Sequence, residues 1–231
     1  MPKRVITFSL WGNKSQYMIG SIKNAELAQI YYPDFECWFY IHKETVTQEI
    51  INKLENLTNV KIIYKFGDLN KVKPMMWRFE AIDEDDVDVM MSRDTDTRIW
   101  EREVIAVNEW LLSGKIFHIM RDHPDHGFEI LGGMFGTKKI PEIPSWKKII
   151  DSCEQGIDKF CDQDFLKNHI YPIIKENSVI HANFHKYEKH AISFSEPYNV
   201  NYNFVGEYVY HDDSRSLKHI NRLKNELIKF K

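Results

Sequence analysis

From Val5 to Tyr64, apolar runs and helical periodicity take turns, and no other feature constrains the fold as much. Val5 to Leu10 (VITFSL) predicts a buried strand. Ser15 to Tyr32 then carries Ile19, Ile22, Ala25, Leu27 and Ala28 at helical spacing, until Pro33-Asp34 stops it. Phe35 to Ile41 predicts a second strand, Thr45 to Leu57 a helix with Val46, Ile50, Leu54 and Leu57 on one face, and Val60 to Tyr64 a third strand. Strand, helix, strand, helix, strand is the order of a Rossmann-like α/β domain whose central sheet is mainly parallel and flanked by helices. The chain has neither Gly-x-Gly-x-x-Gly nor a P-loop, so a nucleotide would have to be held by another device.

Length and charge narrow the class. A chain of 231 residues with 43% hydrophobic content is long enough for one large domain with a substantial core. We divide it into a first half at about 1–100, a second at about 101–213, and a C-terminal amphipathic basic helix at 214–231. A net charge of −3 argues against a dedicated nucleic-acid binder. Cys37, Cys153 and Cys161 are scattered and lack CxxC spacing, as expected of reduced thiols in a cytoplasmic protein. No stretch is apolar for long enough to span a membrane or to act as a signal peptide.

The stretch richest in chemistry is Val87 to Trp100 (VDVMMSRDTDTRIW). Its apolar start predicts a buried strand, and Asp94 and Asp96 follow directly. In an extended chain residues i and i+2 point the same way, so the two carboxylates are expected to converge on a hard cation such as Mg²⁺ or Mn²⁺. Asp-x-Asp also occurs at Asp83/Asp85, Asp86/Asp88 and Asp162/Asp164. The first two of these precede an apolar run and fit a solvated turn, whereas an acidic residue at Asp162 needs only helix capping to explain it. Arg93 and Arg98 flank the favoured pair.

Upstream, Lys73 to Ile82 predicts a helix opened by Pro74. Arg78 within it either snorkels over apolar neighbours or reaches over the strand ends to a phosphate. Downstream, Trp100 to Leu112 predicts an amphipathic helix and Lys115 to Met120 a strand leading into Arg121-Asp122-His123-Pro124-Asp125-His126. His123 and His126 are expected to hydrogen-bond rather than bind zinc, because no third close ligand accompanies them. Phe128 to Thr137 predicts a strand broken at Gly132-Gly133, either by a bend or by a close approach of ligand to backbone. Pro141 to Pro144 predicts a linker, Ser145 to Gln155 a helix, and Asp162 onward a further helix. Ser178 to His181 and Phe204 to Tyr210 predict late strands, each ending in a histidine, His181 or His211.

Six of these pieces, in order, resemble the GT-A glycosyltransferases. The layout is family-8-like and close to that of giant-virus and bacterial capsid or surface-glycan enzymes. The matching residues are Phe8-Ser9-Leu10-Trp11-Gly12, Trp77-Arg78-Phe79, Arg93-Asp94-Thr95-Asp96-Thr97-Arg98, Met120-Arg121-Asp122-His123-Pro124, Gly132-Gly133-Met134-Phe135-Gly136 and Asp162-Gln163-Asp164-Phe165-Leu166. The resemblance implies Mn²⁺ or Mg²⁺ on Asp94 and Asp96, with a late histidine, preferably His211, completing the shell. It also implies a nucleoside-diphosphate sugar donor, with UDP-sugar favoured. Leu10 and Trp11 would meet the nucleoside, Arg78 the phosphates, and Gly132, Gly133, Asp162 and Gln163 the sugar, with Thr95 also among the donor-binding residues. Residues 1–100 would then form the nucleotide-binding half and 101–213 the sugar and acceptor half. Where family-8 enzymes place Asn-Ala-Gly this chain has Leu131-Gly132-Gly133, so one side-chain amide contact to the sugar is missing.

The expected activity is therefore transfer of a sugar to a glycan or glycoprotein acceptor. Arg78 and a cation would neutralise the leaving group, and Asp122 or Asp162 would act as the carboxylate at the reacting carbon or the acceptor hydroxyl. Two other readings are a non-catalytic relative that binds sugar or nucleotide and a nucleotidyltransferase. The second lacks a Gly-rich, Lys-containing phosphate loop after the first strand.

Overall fold

The computed structural model describes residues 2–140, 143, 145–152 and 161–229. Most of the Pro141–Pro144 linker, the end of the helix predicted to reach Gln155, and the last two residues lie outside them. Among the described residues seven strands form one sheet: β1 (Lys3–Leu10), β2 (Phe35–His42), β3 (Val60–Lys65), β4 (Val87–Arg93), β5 (Phe117–Arg121), β6 (Met134–Lys138) and β7 (Ser178–Ala182). Their order is β3-β2-β1-β4-β6-β5-β7. The β1–β2, β1–β4, β2–β3 and β5–β7 pairs are parallel, and β6 runs antiparallel between β4 and β5.

Helices α1 (Ser15–Tyr31), α2 (Gln48–Glu55) and α3 (Glu101–Leu112) connect the strands. The path runs from β1 outward to β2 and β3, then returns to place β4 on the other side of β1. That reversal falls beside the carboxyl ends of β1 and β4, the place where open α/β sheets take ligands in a crevice.

Strand alternation divides the core into two layers. Ile6, Phe8, Leu10, Cys37, Phe39 and Ile41 pack with Met18, Ala25, Ala28, Ile50 and Leu54. Phe8 stacks on Phe39 with ring centroids 4.7 Å apart. Val5, Trp38, Tyr40, Met90 and Phe135 point to the opposite face, beside Trp77, Phe79, Trp146 and Phe165. Because both faces are covered, these strands read as unbroken apolar runs, and each fully buried large apolar side chain contributes about 1.5–3 kcal/mol.

Four expectations need correction. The Lys73–Ile82 segment is a 3-10 helix, Pro74–Asp83, with residues buried almost all round, so its sequence has no single apolar stripe. The strand foreseen from Phe128 shortens to β6, because the preceding residues turn through Leu131 to Gly133. Phe204 to Tyr210 forms turns with one isolated bridge, Val209 to Arg215, although Phe204, Val205 and Val209 are buried. The helix from Cys161 widens to a π turn over Leu166–Ile170 just before Pro172, whose ring nitrogen cannot donate the next helical bond.

Candidate active site

At the end of β4 the chain does not stay extended. Thr97 N–H approaches the Asp94 carbonyl at 3.5 Å and Thr97 Oγ1 donates to it at 2.9 Å, so Asp94 to Thr97 form a turn. The turn replaces the extended geometry expected from the sequence, and it leaves Asp94 near enough to Asp96 for its charge to act on it. Helix α1 clamps it from one side. Asn24 Nδ2 donates to the carbonyls of Thr95 (3.3 Å) and Thr97 (2.9 Å), and a Cβ on Gly20 would overlap the Thr95 carbonyl.

Arg78 stands at the centre of the crevice. Its backbone N–H donates to Ser9 Oγ at 3.1 Å, which ties the 3-10 helix to the end of β1. One guanidinium arm donates to the Arg93 carbonyl at 2.9 Å and to Asp94 Oδ1; the other reaches Asp162 Oδ2 at 3.0 Å. Only 4% of Arg78 is exposed, which excludes a snorkelling surface role. The guanidinium thus joins two carboxylates from distant parts of the chain, a geometry a lysine would not reproduce.

Gly132 and Gly133 make this convergence possible. A Cβ on Gly133 would overlap the Asp94 carboxylate, and one on Gly132 would overlap Asp162 and lie 2.7 Å from Arg78 Nη2. Ser92 Oγ fixes the Gly132 carbonyl at 2.6 Å. The close approach expected at this pair is made by the protein's own carboxylates. Beside them, Gln163 N–H donates to Asp162 Oδ1 at 2.9 Å, and Gln163 Oε1 is buried without a hydrogen-bond partner.

The electrostatics follow from this crowding. Burial, and then the charge of Asp94, push the Asp96 carboxyl up to about 7, against the pull of Arg78 and Arg98. Burial also raises Asp162, with Arg78 opposing. Among the described residues no group of three or more His, Cys, Asp or Glu is placed to hold a metal ion. Two mutually repelling oxygen donors are present instead. Such a pair fits Mg²⁺ or Mn²⁺, ions that take one or two carboxylates and complete their shell with water and substrate phosphate.

Other candidates are placed elsewhere. Leu10 is fully buried in the core, while Trp11 is partly exposed at the mouth of β1. Thr95 is buried under α1. Asp122 is 0% exposed: both its oxygens accept from Arg102 (2.8 and 2.9 Å), and Tyr198 and the Val205 N–H add further bonds. This carboxylate fastens the chain around Val205 and shares no hydrogen-bond partner with Arg78, Asp94 or Asp162. His211 lies exposed on a turn just past Val209 and Tyr210, which bond the Asp96 carbonyl and Arg98; among the described residues it joins no group of three or more metal-type side chains. His181 is fully buried, with Nδ1 2.8 Å from His118 Nε2 and Nε2 2.7 Å from Glu109 Oε2. Arg93 is buried too, paired with Glu103 at 2.7 Å. Both His123 and His126 engage in hydrogen bonds: His123 Nε2 is 3.0 Å from the His219 carbonyl, and His126 Nδ1 accepts from Asp122 N–H at 3.2 Å.

Some participants were not foreseen. Tyr17 and Tyr208 lie close enough to Asp96 for its charge to raise both phenols, behind burial as the larger cause. Asn24 and Gly20 position the turn. Gly20 did carry a signal, because a glycine inside a helical pattern often marks close packing.

Taken together, the sheet order, the single antiparallel strand and the carboxylate turn at the reversal point define an α/β, Rossmann-like fold of the GT-A type. No protein-family model and no curated protein sequence matches the chain. Among solved structures, the chain is similar to a glycosyltransferase involved in glycosylation of the major capsid of PBCV-1. The TM-score is 0.52 at 12% identity, covering 78% of this chain and 82% of that one. An active-site mutant of LgtC gives 0.50 at 12% identity, covering 87% and 92%. A cytidylyltransferase from Leptospira borgpetersenii gives 0.48 at 10% identity, covering 99% and 96%. At these identities the likeness to the first two structures shows the fold alone.

Proposed function

We propose that this chain is a metal-dependent glycosyltransferase that moves a sugar from a nucleoside-diphosphate sugar, UDP-sugar being the favoured donor, to a glycan or glycoprotein acceptor. The observation that carries this reading is the Arg78 bridge between Asp94 and Asp162 at the reversal point, seated on Gly132 and Gly133. It assembles one cationic and two anionic side chains from three separate segments at the reversal point, with the two glycines of a fourth making room for them.

In this reading Asp94 and Asp96 hold Mn²⁺ or Mg²⁺, which supplies countercharge to a leaving diphosphate. Arg78 holds Asp94 and Asp162 in register; phosphate contact is left to its Nε, which lacks a partner. Gln163 Oε1 is an unpaired buried acceptor suited to a sugar hydroxyl, since an unmet buried polar atom is costly until a ligand satisfies it. With Asp122 locked to Arg102 and Asp162 to Arg78, neither carboxylate is free to act as a base. The reading therefore has the leaving diphosphate oxygen accept the acceptor's proton as the anomeric C–O bond breaks and the new one forms. That course retains configuration.

The test is donor cleavage and transfer with a panel of nucleotide sugars and Mn²⁺, comparing wild type with Asp96→Ala. Turnover in wild type and its loss by at least about a hundredfold in the variant is the expected result. Turnover that survives in Asp96→Ala, or that is absent with every donor, would overturn the proposal. Formation of a nucleotide sugar from UTP or CTP and a sugar phosphate would identify a nucleotidyltransferase instead.

A further inference from the structure

Residues 206 to 215 fold back over the Asp94–Arg98 turn. Val209 N–H donates to the Asp96 carbonyl at 2.9 Å, and Tyr210 N–H donates to the Ser214 carbonyl at 2.9 Å. An isolated bridge from Val209 to Arg215 closes the loop on itself. Asp213 sits at the tip with φ +63°, a left-handed conformation that Asp adopts more readily than most residues. Its Oδ1 accepts from Arg98 Nε at 3.2 Å and Nη2 at 3.1 Å, while Oδ2 is paired with Lys23 of α1. Asp213 therefore pins three segments together: the loop, helix α1 and the carboxylate turn.

Arg98 is the member of this group with consequences for the site. Its side chain is 3% exposed, and it also donates to the carbonyls of Thr97 (2.8 Å) and Tyr210 (3.2 Å). A guanidinium so buried requires a carboxylate partner. Its charge acts on two, Asp213, to which it bonds, and Asp96, two residues away. We infer that Asp213 is a positioning residue for the Asp94/Asp96 pair: by engaging Arg98, it keeps the guanidinium off Asp96 and leaves the Asp96 oxygens open to a divalent cation. Without Asp213, Arg98 turns to Asp96 and occupies the cation's place. The inference rests on the reading of Asp94 and Asp96 as the cation site, and it makes the loop's ion pair the determinant of cation affinity.

The experiment is a titration of the full chain with Mn²⁺, in the presence and absence of UDP, following the electron paramagnetic resonance signal of the free ion. Asp213→Asn should bind Mn²⁺ roughly ten- to a hundredfold more weakly than wild type, the usual scale for losing a residue that orients a ligand. Arg98→Gln added to that variant should recover most of the loss, because the competing guanidinium is gone. A purely structural role predicts the reverse, a double variant at least as impaired as the single one. Should Asp213→Asn fail to fold, Arg98→Gln alone decides the matter. Affinity at or above wild type supports the inference, and weaker binding overturns it. Wild-type affinity in a folded Asp213→Asn, where Asp94→Asn has lost binding, sinks the inference alone. If wild type binds no Mn²⁺, the cation reading falls and takes this inference with it.

Discussion

The volume that a methyl group on Gly133 would need is already filled by the Asp94 carboxylate, with the Asp94 backbone nitrogen 3.0 Å away. Gly133→Ala therefore forces the Asp94 side chain away from Arg78 without altering its charge. Displacements of this size at a reacting centre cost about a hundredfold in turnover. We expect that loss in donor-cleavage assays, with a much smaller change in thermal unfolding, because Asp94 is 44% exposed and the buried Arg78 keeps its bond to Asp162. An unfolding temperature that drops in step with activity would show that Gly133 matters to the fold instead. Part of this arrangement was legible beforehand: Arg78, Asp94, Asp162 and the two glycines were all singled out from motif order, and the structure brings them into contact. Asp122 was singled out on the same footing and is locked to Arg102, while His211 lies exposed on the loop that covers the Asp94–Arg98 turn. Residue type and order cannot distinguish a carboxylate at a crevice from one locked to a buried arginine, because Arg102, Tyr198 and Asn183, which satisfy Asp122, are remote in sequence.

At the scale of elements, helix α1 meets the carboxylate turn at Gly20, and two general rules disagree about what happens there. Alanine is the better helix former, by about 0.5–1 kcal/mol in a helix interior. Yet a Cβ at Gly20 would overlap the Thr95 carbonyl oxygen and lie 3.0 Å from its carbonyl carbon. Backbone cannot swing aside as a flexible side chain can, and overpacking costs typically about 1–3 kcal/mol. Packing should win. Gly20→Ala is expected to destabilise by on the order of 1 kcal/mol in urea denaturation and to weaken Mn²⁺ binding by moving the turn. A variant as stable as wild type would show that α1 slides freely over the loop. The first four strands and their crossover helices were legible because burial on both faces leaves continuous apolar runs. Phe204 to Tyr210 misled for the same reason. Its buried residues sit at strand-like spacing, but they are covered by the C-terminal helix, Leu217–Lys229, and by Met134, and among the described residues they join no ladder beyond the Val209–Arg215 bridge. Periodicity reports burial, and only pairing partners turn burial into a strand.

For the whole molecule, the buried His118, His123 and His181 and the half-buried His126 tie stability to pH. His118 and His181 share a hydrogen bond inside the sheet, while His123 and His126 lie under the C-terminal helix, and burial lowers all four below their ordinary value of 6.5. His126 is pushed down to about 3, by burial first and then by His123, His185 and His219. In the unfolded chain His126 takes up a proton as the pH falls through 6.5, whereas in the folded chain it stays neutral until about 3. The unfolded state thus binds more protons across that window, so this histidine makes stability fall as acid is added. Burial of Asp96, Asp162 and Glu207 raises their carboxyls and works in the opposite direction, which makes the net curve a poor test. A difference between two chains removes the carboxylates, since both carry them. His126→Asn keeps an acceptor for the Asp122 N–H but cannot be protonated. Relative to its own value at pH 7.5, the variant should gain on wild type by about 1.4 kcal/mol for each pH unit below 6.5, the free energy of one proton per unit. Denaturant titrations at pH 7.5, 6.0 and 5.0 measure that difference directly. A gap that stays constant across the three would mean that His126 titrates alike in the folded and unfolded chain, and that the histidine corner beneath the C-terminal helix is open to water.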